Sequence, residues 1–225
     1  MNRFFVFEKQ NDYFILPKAT LEHLKVIRVK NKEFICVFEE NFYVCVLEEN
    51  KAKIVSKLNL NHEFNFEVTL AMSIIKLDRF EWMLQKATEL GVTKIIPIAS
   101  QYCDGDLVKY KFNKKRERFE TILQNAAEQS FRNKIPVLLP ITDFEQAVKI
   151  PSKYKFIAHE KVSVQDSKRV SIDDECLLFV GPEGGFSDAE ISLAEQHDIK
   201  AISLGKRILR AETAALYLLS QIEQK

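Results

Sequence analysis

Two short stretches near the carboxyl end carry residue types and spacings that can do chemistry. They are VGPEGGFSDAE, Val180 to Glu190, and SLGKRILRAETAAL, Ser203 to Leu216. The chain holds only six glycines in 225 residues, and four of them, Gly181, Gly184, Gly185 and Gly205, fall in these stretches. Average usage would supply roughly sixteen, so glycine is concentrated where backbone turns tightly or approaches a ligand closely. The first stretch follows the apolar run CLLFV and leads into a capping box, with Ser187 as N-cap and Glu190 three residues on. A strand, a glycine turn and a capped helix in succession offer free backbone N–H groups at a strand's carboxyl end, a ligand-binding geometry. The spacing is neither GxGxxG nor GxxxxGK(S/T), which disfavours a dinucleotide or a nucleoside triphosphate. In the second stretch Lys206, Arg207 and Arg210 surround the apolar pair Ile208 and Leu209. The alternative is a solvated loop with Arg210 paired to Glu212 or Glu183. Two glycine-marked strand ends in the last quarter of the chain point instead to a shared pocket.

The elements that must position these loops are read from periodicity. Residues 1–66 contain short runs rich in Phe, Val, Ile and Tyr (RFFVF, EFICVFE, NFYVCVLE, AKIVSKL) separated by Asn, Glu and Lys turns, the pattern of a small β-barrel. A hairpin is expected around Glu39 to Asn41, and Thr20 as the cap of a short helix. The asparagines of NLNHEFN mark the boundary. From residue 67 to 225 strand and helix alternate. RFEWMLQKATELG sets Phe80, Met83, Leu84, Ala87 and Leu90 at helical spacing and ends at Gly91, a suitable C′ residue. KKRERFETILQNAAEQS, SDAEISLAEQH and AETAALYLLSQIE are further helices. FEVTLAMSII, KIIPIAS, PVLLP, KFIAHE, CLLFVG and AISLG are apolar runs of buried parallel strands. The fold class expected is α/β, with helices on both faces of the sheet.

Composition excludes several functions. A net charge of +1 argues against a generally basic nucleic-acid coat and leaves local patches open. The four cysteines form no CxxC pair and the four histidines no HExxH, so no metal site is expected. Cys36 and Cys45 read as small buried hydrophobes. With no run of about 18 apolar residues and no signal-peptide core, a cytoplasmic protein without membrane association is expected.

VGPEGGFSDAE together with LGKRILRAETAAL resembles the carboxyl-terminal signature of the RsmE family. These are uridine-N3 methyltransferases of small-subunit (16S) ribosomal RNA within the SPOUT superfamily, which use S-adenosyl-L-methionine. The resemblance continues in RFEWMLQKATELGVTKIIPI, NAAEQSFRNKIPVL and HLKVIRVK, and so spans nearly the whole chain. Three positions depart from the family pattern. ASQYCDGD replaces a segment that contains Ser and Arg, Phe131 stands where glycine is frequent, and so does Asn31, which tolerates positive φ.

The resemblance implies a PUA-like, RNA-binding β-barrel over 1–66 and a SPOUT α/β domain with a carboxyl-terminal trefoil knot over 67–225. It also implies a homodimer and the small ribosomal subunit as partner. The cofactor pocket would be lined by Ala158, His159 and Glu160, by Val180, Gly181, Pro182, Gly184 and Gly185, and by Ser203, Leu204, Gly205, Ile208 and Leu209. Leu204, Ile208 and Leu209 suit adenine, and backbone N–H groups or a cation suit the methionine carboxylate. Arg210 is the catalytic candidate, since a guanidinium stabilises the charge that develops on uracil as N3 loses its proton. Glu183 is a candidate base or orienting group. RNA contacts are expected from Arg3, Arg28, Lys30, Lys114, Arg116 and Arg132. Two alternatives stay open: a SPOUT methyltransferase with a different target base, and a non-catalytic RNA-binding relative.

Overall fold

The computed structural model describes residues 1–26, 33–162 and 172–223. They form two compact units, Met1–Glu63 with Ala127–Ile135, and Phe64–Ala126 with Pro136–Lys225. The division falls close to the NLNHEFN boundary. Residues 127–135, which a linear reading leaves in the second domain, pack with the first unit.

In the first unit β1 (Arg3–Phe5), β2 (Lys9–Gln10), β3 (Tyr13–Ile15), β4 (Phe34–Phe38), β5 (Asn41–Glu48) and β6 (Lys51–Leu58) make one sheet in the order β1-β4-β5-β6-β3-β2. All pairs are antiparallel except β1 with β4. The expected hairpin joins β4 and β5, with Phe38 opposite Asn41. Its two turn residues, Glu39 and Glu40, both have positive φ (47° and 62°), as do Glu49 and Asn50 in the next hairpin. That conformation matches the right-handed twist of the flanking strands. Helix α1 (Lys18–Val26) starts two residues before Thr20, which is buried inside it rather than capping it. Phe4, Phe14, Phe34, Cys36 and Cys45 pack on one face of the sheet, and Phe5, Ile35, Val37 and Phe42 pack on the other. Both cysteines are fully buried; the hydrogen bond with Cys45 and then burial raise the Cys36 thiol.

Segment 127–135 covers the second face, and here the sequence reading of Arg132 is corrected. Arg132 is 3% exposed, so it is no RNA contact. Its guanidinium donates to both oxygens of Glu63 (2.6 to 3.0 Å), which also accepts from the backbone N–H of Asn133 at 2.8 Å. A charge this deep is tolerated only when paired and hydrogen-bonded. Arg3 donates to the carbonyls of Glu128 (2.6 Å) and Gln129 (2.7 Å) and stacks over Phe131 at 4.8 Å. It is therefore a structural strut as well as a partly exposed cation. Phe131 has φ 60°, the left-handed conformation that glycine adopts without strain. Its ring packs on Phe42 and His62 with centroids at 4.7 and 4.5 Å, and those contacts offset the strain.

In the second unit the strands are β7 (Val68–Ser73), β8 (Lys94–Ala99), β9 (Val137–Leu138), β10 (Thr142–Asp143), β11 (Tyr154–Ala158), β12 (Cys176–Val180) and β13 (Lys200–Ile202). They form an all-parallel sheet ordered β10-β8-β7-β12-β11-β13, with β9 also on β8. Helices α2 (Leu77–Glu89), α3 (Arg116–Gln129), α4 (Phe144–Ala147), α5 (Asp188–Gln196) and α6 (Ala211–Leu219) complete the alternation. The expected stripe of α2 is buried at Phe80, Met83, Leu84 and Ala87, and Gly91 follows its C-cap with φ 91°. On α6 the buried side chains include Ala211, Ala214, Ala215 and Leu218. Leu177 and Phe179 of β12 pack with α4 and α5 through Phe144, Ile191 and Ala194. Alternation along the strand turns Leu178 the other way, where α6 lies against β12 and α2 against α6. Short β10 and α4 escape the periodicity reading because neither spans a full repeat.

Candidate active site

Because β12, β11 and β13 are adjacent and parallel, their carboxyl ends emerge on one edge of the sheet. The three segments that follow them enclose a cavity of about 310 Å³. It is lined by Ala158, His159 and Glu160, by Val180 to Glu183 with Gly185, and by Ser203 to Arg210, with Ala211 and Ala214 of α6 behind. All the residues expected from the sequence at a cofactor pocket line this cavity except one. Gly184 does not line this cavity; it lies against Tyr102 and lines a neighbouring one. Lys206, Arg207, Ala211 and Ala214 were not among the expected pocket residues, although Lys206 and Arg207 stand inside the motif that marks it.

The glycines are required for two separate reasons. At Gly181 a Cβ would come within 3.0 Å of the Gly185 carbonyl carbon and 3.1 Å of its Cα, so backbone meets backbone there. Gly185 and Gly205 have φ of 71° and 116°, values that a side chain makes costly. The turn is closed by the Gly185 N–H donating to the Pro182 carbonyl at 2.9 Å. Past it, the capping box forms as read: the Ser187 side chain accepts from the Glu190 N–H (3.3 Å) while Glu190 accepts from the Ser187 N–H (2.9 Å). Gly181→Ala is expected to weaken ligand binding at least tenfold while melting shifts little, since only the pocket wall must move. Calorimetry and thermal melting check this.

The charged groups of the site are arranged asymmetrically. Glu183 is paired with Arg79 of α2 at 3.3 Å, and the Arg210 guanidinium has no hydrogen-bonding or ionic partner among the described residues. Arg210 is the N-cap of α6, exposed, with its own carbonyl accepting from the Ala214 N–H at 2.8 Å. The pairing of Arg210 with Glu183 that a solvated loop would show is absent. Arg79 was missed by sequence reading. Its one local clue is an arginine in the first turn of a helix, where the dipole disfavours a cation and a nearby carboxylate is needed. His159 has its pKa held below the ordinary histidine value, first by burial and then by the Lys161 ammonium.

The remaining basic candidates separate clearly. Lys114 is exposed, with Lys109, Lys111 and Tyr110 nearby. Arg116 pairs with Glu120 at 3.0 Å and donates to the carbonyls of Leu138 and Leu139, so it braces α3. Phe112 of the same stretch is buried against Phe80 and Phe119. Arg28 and Lys30 lie outside the described residues. Among the described residues no group of three His, Cys, Asp or Glu could hold a metal ion, and no helix is long and apolar enough to cross a membrane.

A parallel α/β unit with a glycine-walled pocket at its strand ends, and at that pocket an arginine unpaired among the described residues, has the build of a cofactor-dependent group-transfer enzyme. The family model described as an RNA methyltransferase domain matches residues 62–223. The chain belongs to the ribosomal RNA small subunit methyltransferase E family. It is 44% identical to the member from Mesomycoplasma hyopneumoniae, over 98% of each chain, and 31% identical to that from Bacillus subtilis, over 99% of this chain and 96% of that one. Among solved structures, the Neisseria gonorrhoeae enzyme bound to S-adenosyl methionine superimposes with a TM-score of 0.85 at 32% identity, covering 98% of this chain and 95% of that one. A Legionella pneumophila methyltransferase in complex with the same cofactor gives 0.84 at 30% identity, covering 97% and 95%.

Proposed function

We propose that this chain transfers the methyl group of S-adenosylmethionine to N3 of a uridine in 16S ribosomal RNA within the assembled small subunit. The observation that carries this reading is the cavity of about 310 Å³ with Arg210 at its wall, its guanidinium unpartnered among the described residues. Its size falls within the range of about 300–1,000 Å³ usual for small-ligand sites. Leu204, Ile208 and Leu209 provide apolar surface for adenine, the glycine turn provides close backbone, and Lys206 or Arg207 provides a cation for a carboxylate. When bound, the cofactor supplies an electrophilic methyl on a positively charged sulfur. The chain's own residues then hold the acceptor in line with it. Arg210 neutralises the negative charge that appears on the uracil carbonyl oxygens as N3 gives up its proton to solvent water. Glu183, held by Arg79 at 3.3 Å, orients the acceptor.

The neutral state of His159 fits a site for a cation. Its pKa is lowered by burial and by Lys161, against the opposing effect of Glu160, Asp188 and Glu195. Cofactor affinity is expected to weaken as pH falls below the ordinary histidine range of about 6.5, because the ring then gains a positive charge in a pocket that would hold a cationic cofactor. Calorimetry between pH 5 and pH 8 measures this, and His159→Gln should flatten the profile. The same depression means that the unfolded chain binds the proton first, so stability also drops as pH falls through that window.

The finer architecture belongs to the same proposal. The edge position of β13, followed by the return of α6 against β12 and α2, supports a carboxyl-terminal trefoil knot. The sheet of the first unit, packed on both faces, supports a PUA-like RNA-binding barrel. Exposed Ile208 and Tyr217 support a homodimer with the pocket near its interface, and light scattering tests it. The reaction takes place where ribosomes are assembled, in the cytoplasm. The decisive test uses small subunits from cells lacking the gene. Incubation with the protein and cofactor should create one new reverse-transcription stop, since N3 methylation removes a base-pairing donor. Subunits that acquire no methyl group overturn the reading, and a methyl on another base replaces its target.

A further inference from the structure

Between Lys109 and Arg118 six cations stand against one acid, Glu117, in a chain whose net charge is only +1. Two of the six are taken by carboxylates: Arg116 pairs with Glu120 at 3.0 Å, and Arg118 donates to both oxygens of Glu81 at 2.5 and 2.6 Å. The other four, Lys109, Lys111, Lys114 and Lys115, are exposed. Among the described residues none of their ammonium groups has an ionic or hydrogen-bonding partner. The backbone beneath them is fixed. Leu107–Lys111 forms one π-helical turn, a rare turn frequent at functional sites, and Asn113–Lys115 forms a 3-10 turn. Asp104 accepts from the N–H groups of Asp106 (2.8 Å) and Leu107 (3.3 Å) at the start of the stretch. Phe112 is fully buried against Phe80 and Phe119, with ring centroids at 5.0 and 4.9 Å. Its N–H donates to the Leu107 carbonyl, and its carbonyl accepts from the Lys115 N–H, both at 2.9 Å. Two residues before this anchor, Tyr110 is 64% exposed, and among the described residues no other ring or cation rests on it. Neither Tyr110 nor the four lysines line the cofactor pocket or the cavity beside it.

We propose that this platform is a docking surface for ribosomal RNA, separate from the reacting centre: the four lysines hold phosphates of an unpaired stretch, and one of its bases stacks on Tyr110. The inference rests on the methyltransferase reading and adds where the substrate is gripped. With so small a net charge the chain cannot hold RNA by its overall field, so a local island of charge must do it. Four unpaired ammonium groups within seven residues repel one another, and a polyanion offsets that repulsion. Lysine is a point charge on a flexible stem, which suits phosphates and reads no sequence. An exposed ring on a fixed backbone offers a base a stacking surface. Duplex RNA does not suit Tyr110, since its bases already stack on one another. An anionic membrane suits the stretch poorly. Membrane-surface segments insert an apolar face, whereas here Phe112 is buried and Leu107 and Val108 are half-buried, which leaves Tyr110 alone.

The test measures binding and methyl transfer separately, on small subunits from cells lacking the gene. One variant combines Lys109→Gln, Lys111→Gln, Lys114→Gln and Lys115→Gln; Tyr110→Ala and Tyr110→Phe are made singly. In the fourfold variant the slope of log Kd against log salt should fall by about 3, since each phosphate contact on a single strand contributes about 0.7. KM for the subunit should rise at least about tenfold, while kcat at saturating subunit and cofactor Kd each stay within about threefold. Tyr110→Ala should weaken subunit binding by roughly 5- to 100-fold with the salt slope unchanged, and Tyr110→Phe should restore it because the ring is kept. All five side chains are exposed, so melting should match wild type. Lys111→Gln and Lys114→Gln alone, each expected to lower the slope by about 0.7, decide the matter if the fourfold variant melts early. An unchanged salt slope overturns the proposal, and so does a fall in kcat with KM unchanged, which assigns the stretch to the chemistry. Lysine-dependent binding to phosphatidylserine vesicles, with subunit binding kept in the fourfold variant, overturns it in favour of a membrane. A wild type that binds subunits with the full salt slope yet transfers no methyl group refutes the methyltransferase reading instead, so the two failures are distinguishable.

Discussion

Replacing Arg210 with alanine is expected to lower kcat for RNA methylation by about 100- to 1,000-fold, the usual result of deleting one group aimed at developing charge. Cofactor affinity should stay within about threefold. The asymmetry follows from what Arg210 touches. Its guanidinium satisfies no carboxylate or carbonyl among the described residues, while its backbone alone caps α6. Alanine can hold that backbone position with little change, so the variant should melt close to wild type. Arg210→Lys should recover only part of the rate, because an ammonium offers a point charge in place of a planar fork of donors. Parallel loss of cofactor binding and turnover would show that Arg210 builds the pocket instead.

The largest expected effect on stability lies far from the chemistry, at Glu63. Glu63 and Arg132 have side chains only 4% exposed. Glu63→Ala leaves a guanidinium buried without its counter-charge, which costs about 3–5 kcal/mol. It also removes the acceptor for the Asn133 and Lys134 N–H groups. Replacing both partners with apolar residues of similar volume, Glu63→Leu with Arg132→Met, should recover much of the loss, since no unpaired charge remains. Urea denaturation measures both variants. A Glu63→Ala loss under about 1 kcal/mol would show that water reaches the pair.

Local patterns in the sequence correspond to the parts of the structure held by local forces. The α2 stripe, the Gly91 terminus and the Ser187–Glu190 capping box join residues three or four apart, and the backbone connects them whatever the rest of the chain does. The pocket loops were legible for a related reason: scarce glycine was spent at Gly181, Gly185 and Gly205, where backbone geometry demands it. Arg132, expected as an RNA contact, is instead buried. Its burial depends on a carboxylate 69 residues away in sequence.

By itself, then, the sequence determined the alternation of elements, the glycine turns and the family. Tertiary structure alone decided which charges are used up and which are free. Arg132 is consumed by Glu63, Arg116 by Glu120 and the carbonyls of Leu138 and Leu139, and Glu183 by Arg79, while Arg210 is left at the pocket and the lysines around Tyr110 at the surface. The reason is physical. A charge or an aromatic face acquires its role from the partner within a few ångströms, and periodicity carries no record of partners that lie a hundred residues apart.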